Sequence, residues 1–359
     1  MRHTQAATRT QEKYSRQLGV DQRFPDGFSF SLSRPGTRVE NTRRILGVIL
    51  QRGSVTARDL AQQTGLSVVT TNAILNKVVD SGLVEHVGLH RSNRGRQARV
   101  YSVPPKLVRA VIAVPSNDGL TMTWTDALDA APVVIRNKQP NGLNADRLSD
   151  LILRTSGVHP PQYAVIGISP HAEAETASGR RILESNLTDL LACPVQVRTV
   201  AQLAAIAEGQ LGAARGVRDF FFVTGPTMSI CHVVNSVPRD GAQRLARLLE
   251  LFESRLDLCS ANGSAASPHD ATASALAAAC LVADPELIVL GEGLAHGCKA
   301  HLPDRIRTIF GGLRTVPPEV VTSTIPGDAA LQGGLHVAKA GAIGRFLDIA
   351  APTEVRSPT

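Results

Sequence analysis

Apolar residues recur at Ile45, Leu46, Ile49 and Leu50, the spacing that gives a helix one apolar side, so 41–50 is expected to be helical and to end at Gly53. Thr56 followed by Asp59 has the spacing of a capping box, and Leu60 and Ala61 supply the apolar side of a second, short helix. Gly65 closes it, because a tight turn needs a residue that tolerates positive φ, and Ser67 caps a third helix. In that helix Thr71, Ile74, Leu75, Val78 and Gly82 share one face, while Val69, Asn72, Ala73, Asn76 and Lys77 share the other. The next pattern is Leu83–Val87, the basic run RSNRGR, then Gln97–Val103: a strand, a turn with a central glycine, and a second strand. Helix, turn, helix and basic hairpin over 54–101 describe a winged helix-turn-helix, around which the chain is organised.

That pattern favours DNA over a protein partner, because helix spacing, glycine turn and arginine hairpin agree. Ser67, Thr70 and the wing arginines Arg91, Arg94, Arg96 and Arg99 suit phosphate contacts. Asn72 and Asn76 suit adenine edges, Val69 and Ala73 suit thymine methyls, and Lys77 lies on the same outward face.

Beyond Pro104-Pro105, which cannot continue a ladder, strands and helices alternate. Residues 107–114 and 120–128 read as paired strands, 145–153 as a helix, 163–169 as a buried strand, and 194–200 as a strand feeding an alanine-rich helix over 201–216. A hairpin over 219–237, an amphipathic helix over 242–259, a loop over 260–270 and a helix over 271–283 follow. A strand over 287–295, a helix over 301–313, a strand over 320–324 and a closing helix over 327–344 complete the pattern. Two successive groups of this kind predict an α/β body of two lobes. The expected organisation is a disordered basic tail over 1–36, the DNA-binding domain over 37–104, the body over 106–347 with lobes of about 106–205 and 206–347, and a loose tail over 348–359.

Charge sharpens this division. Residues 1–105 carry 16 Lys and Arg against 7 Asp and Glu, whereas the remainder carries 22 against 24. The basic field therefore belongs to the head, where it supplies salt-sensitive attraction to duplex DNA. The absence of an eighteen-residue apolar run argues against a membrane span, and the opening MRHTQAATRTQEK lacks the apolar region of a secretory signal. Five scattered cysteines without a CxxC pair fit a reducing cytoplasm and argue against a cysteine-rich metal site, so neither cofactor nor metal is expected.

In the body, AVIGISP, LESNLTDLLACPVQV, AAIAEGQLGAARGVRDFFFV, DPELIVLGEGLA and GDAALQGGLHVAKA follow one another in an order that resembles the ROK family of bacterial sugar kinases and transcriptional repressors. The preceding winged helix resembles its repressor branch. The resemblance covers roughly 40–345 and implies a winged helix-turn-helix followed by a two-lobed, actin-like ATPase α/β domain. Departures from the kinase pattern are equally informative. Where family kinases carry an Asp-x-Gly-Gly-Thr phosphate loop, this chain has Pro115-Ser116-Asn117-Asp118-Gly119. Where they carry Asn-Asp, with Asp as general base, it has Thr199-Val200, and valine cannot accept a proton. The family's Glu-x-Gly-His motif and cysteine-rich zinc loop are missing from 238–270.

A DNA-binding regulator, a repressor rather than an enzyme, is the resulting expectation. Its body would dimerise or form a higher homo-oligomer and hold a small-molecule effector near Asn117, Asp118, Ser169, His171, Thr199, Gln202 and Glu292. The alternatives are a sugar kinase with a DNA-binding head and a scaffold that docks a signalling partner.

Overall fold

Thr37 opens the first helix, α1 (Arg38–Arg52), through a capping box: its backbone N–H donates to the Glu40 carboxylate at 2.7 Å, and its hydroxyl accepts from the Glu40 N–H. The computed structural model describes residues 37–91, 97–116, 119–126, 133–137, 144–157, 159–169, 177–225, 229–239, 268–294, 296–313, 315–325 and 327–352, all within one unit spanning Leu32–Thr359. The expected tail over 1–36 and helix over 242–259 lie outside them.

After α1 come β1 (Val55–Thr56), α2 (Ala57–Thr64), α3 (Val68–Asp80), β2 (Glu85–Arg91) and β3 (Gln97–Ser102). The strands form an antiparallel sheet in the order β1-β3-β2, with Val55 opposite Tyr101 and Leu89 opposite Arg99. Ile45, Leu46, Ile49, Leu60, Leu75 and Val84 are sealed in the core that the three helices and this sheet enclose. The Ser102 hydroxyl donates to the Gly53 carbonyl at 2.6 Å, fastening the base of the wing to the end of α1. Pro105 then opens a single 3-10 turn, Pro105–Leu107, that leads into the body.

The body holds two five-stranded sheets built to one plan. The first comprises β4 (Arg109–Ser116), β5 (Gly119–Asp126), β6 (Val133–Asn137), β7 (Tyr163–Ile168) and β8 (Val195–Thr199), ordered β6-β5-β4-β7-β8. The second comprises β9 (Phe220–Thr224), β10 (Ser229–Val234), β11 (Val237–Pro238), β12 (Leu287–Leu290) and β13 (Glu319–Thr322), ordered β11-β10-β9-β12-β13. In each, three antiparallel strands are followed by two that join the opposite edge of the first strand in parallel. The helices α4 (Ala145–Ser156), α5 (Ala177–Leu191), α6 (Val200–Leu211), α7 (Pro268–Ala283), α8 (His296–Leu313) and α9 (Ala329–Ala350) cover them.

Alternation along the strands decides which layer each residue joins. Val111 and Ala113 face the core with Ile152 of α4 and Leu187 of α5, whereas Ala110, Ile112 and Val114 face Leu203 of α6 and Ala338 of α9. Phe221 packs with Leu276 of α7 and Ile306 of α8, and Phe220 and Phe222 pack on the opposite side with Ala204 and Ala205.

Five expectations change. Strand β6 and helix α5 are additions to the predicted elements, and α9 continues to Ala350, three residues into the stretch read as a loose tail. Gly82 does not share the buried face of α3: it is exposed beyond the helix end with φ 72°, a turn residue rather than a helical one. Finally, α9 follows the second sheet in sequence but packs largely against the first sheet and the head, so the lobes are not two consecutive stretches of chain.

Candidate nucleic-acid interface

The local chemistry of the head fixes the position of α3. At the start of α2, Thr56 and Asp59 cap one another: the Thr56 N–H donates to Asp59 Oδ2, the Asp59 N–H donates to Thr56 Oγ1, and the Thr56 hydroxyl reaches the same carboxylate at 2.7 Å. Gly65 ends α2 in the left-handed conformation, φ 69° and ψ 13°, which turns the chain toward α3 with no Cβ penalty. Arg44 on α1 donates to the Thr64 carbonyl at 3.3 Å and so braces the turn from behind.

Ser67 caps α3 by accepting the Thr70 N–H at 3.0 Å, and the two hydroxyls lie 2.8 Å apart. One hydroxyl proton is used between them, which leaves one to donate outward. Thr71, Ile74, Leu75 and Val78 are buried, and the Thr71 hydroxyl is satisfied by the Ser67 carbonyl at 3.0 Å. Thr70, Asn72, Ala73, Asn76 and Lys77 are all exposed, and Val69 is 80% exposed. Apart from Gly82, the expected division of α3 into an inward and an outward face is therefore present.

Val68 belongs to this outward surface and is not among the sequence candidates; it is 52% exposed. Its signal was available, since it directly follows the Ser67 cap and so lies at the open end of α3. Val68 and Val69 are adjacent and leave apolar area in water at the start of α3 that a partner could cover.

The wing rises as β2 and β3. Arg99 is exposed on β3, and Val87 and Leu89 are exposed on β2. At its base the His86 and Tyr101 rings meet at a tilt of 44° with centroids 4.6 Å apart. Arg91 ends β2 opposite Gln97, with its backbone paired there. Arg94 and Arg96 lie outside the described residues.

The body candidates divide differently. Thr199 and Gln202 cap α6 reciprocally: Thr199 N–H donates to Gln202 Oε1 at 3.1 Å, and Gln202 N–H donates to Thr199 Oγ1 at 3.2 Å. Glu292 accepts the Gly327 N–H at 2.8 Å, while its own carbonyl accepts from the Thr224 hydroxyl and the Gly225 N–H, so it binds together three turns of the second lobe. Ser169 follows Ile168, the partner of Thr199 across β7 and β8, and so stands at the carboxyl ends of neighbouring parallel strands. Asn117, Asp118 and His171 lie outside the described residues. Val200, at the position that the kinase resemblance gives to a general base, is the first residue of α6. Glu208, the one fully buried carboxylate among the described residues, is used internally by the Ala213 N–H at 2.8 Å and by the Ser323 hydroxyl. Among the described residues no group of three or more His, Cys, Asp or Glu could hold a metal, and no helix is long and apolar enough to cross a membrane.

Residues 38–85 match the winged helix-turn-helix DNA-binding family. No curated protein sequence matches the chain. In structure it is similar to a ROK family transcriptional regulator described as a homologue of the E. coli MLC protein, at 14% identity and a TM-score of 0.54, covering 88% of this chain and 98% of that one. It is also similar to a ROK hexokinase from Thermus thermophilus (18% identity, TM-score 0.45, 64% of this chain and 98% of that one). A ROK family glucokinase from Streptomyces griseus gives 15% identity and a TM-score of 0.41, over 65% of this chain and all of that one. The head thus matches a winged helix-turn-helix DNA-binding family over 38–85, and it is carried on a two-lobed α/β body with the fold of a ROK transcriptional regulator.

Proposed function

We propose that this chain is a DNA-binding transcriptional regulator, acting as a repressor, whose body pairs with a second copy. The outward face of α3 carries this reading: Val69, Thr70, Asn72, Ala73, Asn76 and Lys77 are exposed on a helix whose other face is sealed in the core. A helix of this kind fits the major groove, where Asn72 and Asn76 bind adenine edges and Val69 and Ala73 meet thymine methyls. The Ser67–Thr70 pair, Lys77 and the wing arginines Arg91, Arg94, Arg96 and Arg99 hold the phosphates on either side.

A single head buries little surface. Two heads spaced by paired bodies would read half-sites about one helical turn, roughly 34 Å, apart and gain affinity through their linkage. The body serves as a sensor rather than a kinase: Val200 offers no proton acceptor at the expected base position, and Glu208 is occupied internally. A small effector would sit at the carboxyl ends of the parallel strands, near Ser169, with Thr199, Gln202 and Glu292 shaping its floor and with Asn117, Asp118 and His171 as further candidate contacts. The protein acts in the cytoplasm.

The test is binding of the full chain to the DNA upstream of its own coding sequence, against a scrambled duplex of equal length, over a salt series. A preference that persists at physiological salt supports the reading. Equal binding that disappears with salt, together with ATP turnover on any member of a sugar panel, would overturn it in favour of a kinase with a basic head.

A further inference from the structure

Helix α9 belongs to three cores in succession. At its start, Ala329 and Ala330 pack on the second-lobe core around Phe220 and Phe222. Its middle, Leu331, Ala338 and Ala342, lies against Ile112, Val165 and Leu203 of the first lobe. There Gly333 presses so closely on the Leu203 carbonyl of α6 that no side chain would fit. At its end, Phe346 and Leu347 are buried in the head core with Ile45, Leu46 and Ile49.

Arg43 of the head closes over that end. Its Nη1 shares its protons among Asp348 Oδ1 at 2.9 Å, the Ala351 carbonyl at 3.0 Å and the Leu347 carbonyl at 3.3 Å. The Leu347 carbonyl already accepts the Ala351 N–H at 2.9 Å, so the guanidinium adds a second donor there and also meets the negative end of the helix dipole. Just before this point Arg345 donates to the Gln162 carbonyl at 3.0 Å. The Gln162 N–H in turn binds the Arg109 carbonyl, and the Arg109 side chain holds the carbonyls of Ser156 and His159. The end of α9 is therefore tied to the head and to the first lobe within a few residues.

We propose that α9 is the strut that couples the arrangement of the two lobes to the placement of the DNA-binding head, a role that rests on the DNA-binding reading for its output. From Gly333 to Leu347 the helix carries a displacement over about 21 Å, at about 1.5 Å per residue. Backbone packs on backbone at Gly333, and Phe346, Leu347 and Arg43 hold the other end, so a shift of α6 against Gly333 moves the end that Arg43 grips. Coupling of this kind is reciprocal: fixing the head on DNA restrains the lobe junction by the same free energy.

Hydrogen exchange on the full chain tests this, comparing wild type with Arg43→Gln, each alone and with the upstream DNA fragment. Arg43→Gln should raise exchange severalfold at 343–351 and also at 329–338. The DNA should slow exchange at 329–338 in wild type but not in the variant. Asp348→Asn, a milder change at the same contact, should show the same spread at smaller amplitude and decides the matter if Arg43→Gln does not fold. Faster exchange confined to 343–351, with 329–338 unmoved by variant or DNA, would reduce the contact to a local cap and overturn the strut. A spread effect in a protein that fails to prefer its upstream DNA would keep the strut and remove the DNA-binding reading instead.

Discussion

Asn72 on α3 and Arg99 on β3 are both exposed, and their chemistry separates what each would do. An asparagine amide pairs bidentately with adenine, so Asn72→Ala should cost about 1–3 kcal/mol per half-site on specific DNA and little on random DNA. Equal losses on both, measured by fluorescence anisotropy, would remove Asn72 from base reading. A guanidinium on a phosphate discriminates nothing, so Arg99→Ala should weaken all duplexes alike and lower the salt slope by about one. An unchanged slope would take Arg99 off the backbone. The outward set on α3 was legible because a 3.6-residue period separates exposed from buried positions without knowledge of the fold. Gly82 kept the period, four residues after Val78, but its positive φ ends the helix before that position is reached. Thr199 and Gln202 mark the opposite limit: polar side chains at a helix start look alike in sequence whether they hold a ligand or cap the helix.

At the scale of elements, caps and strand alternation carry the stability. Thr56→Ala removes the hydroxyl that holds the Asp59 N–H and should lower stability by about 1 kcal/mol in urea unfolding. Phe221→Ala empties the layer between the second sheet and helices α7 and α8 and should cost about 3–5 kcal/mol. On α9, burial, with a smaller contribution from Lys339, pushes the His336 imidazole down from its ordinary 6.5 to about 4. The unfolded chain then takes up a proton that the fold refuses, so stability should fall as pH drops from about 6.5 to about 4. His336→Gln should flatten thermal melts across that window; an unaltered pH profile would show that other groups govern it. The strong elements were readable because each long apolar run or amphipathic stretch signals itself. Helix α5 was visible in principle, since Leu183, Leu187 and Leu191 recur every four residues, yet its polar first half hides the start. Strand β6 is a five-residue edge strand whose identity comes from pairing with β5, a contact that local sequence does not announce.

For the whole molecule, paired bodies predict sedimentation at twice the chain mass of 38.1 kDa at concentrations where the upstream DNA binds. Sedimentation of the DNA-competent species at the single-chain mass would leave one head to act alone and sink the half-site model. The two-lobed α/β plan followed from the alternation of strands and helices. The common strand order of the sheets did not, because order across a sheet depends on which distant edges meet. The placement of α9 was hidden for the same reason: small residues at 333, 334 and 341 indicate close packing without saying against what.

The contact between Arg43 and Asp348 spans 305 residues of sequence. During synthesis, then, the head emerges from the ribosome long before Phe346 and Leu347 exist to finish its core. At about 5–20 residues per second the delay from the end of the head to Phe346 is roughly 12–48 s. For that interval the nascent head lacks part of its own interior, and completion of its core becomes tied to the making of the body.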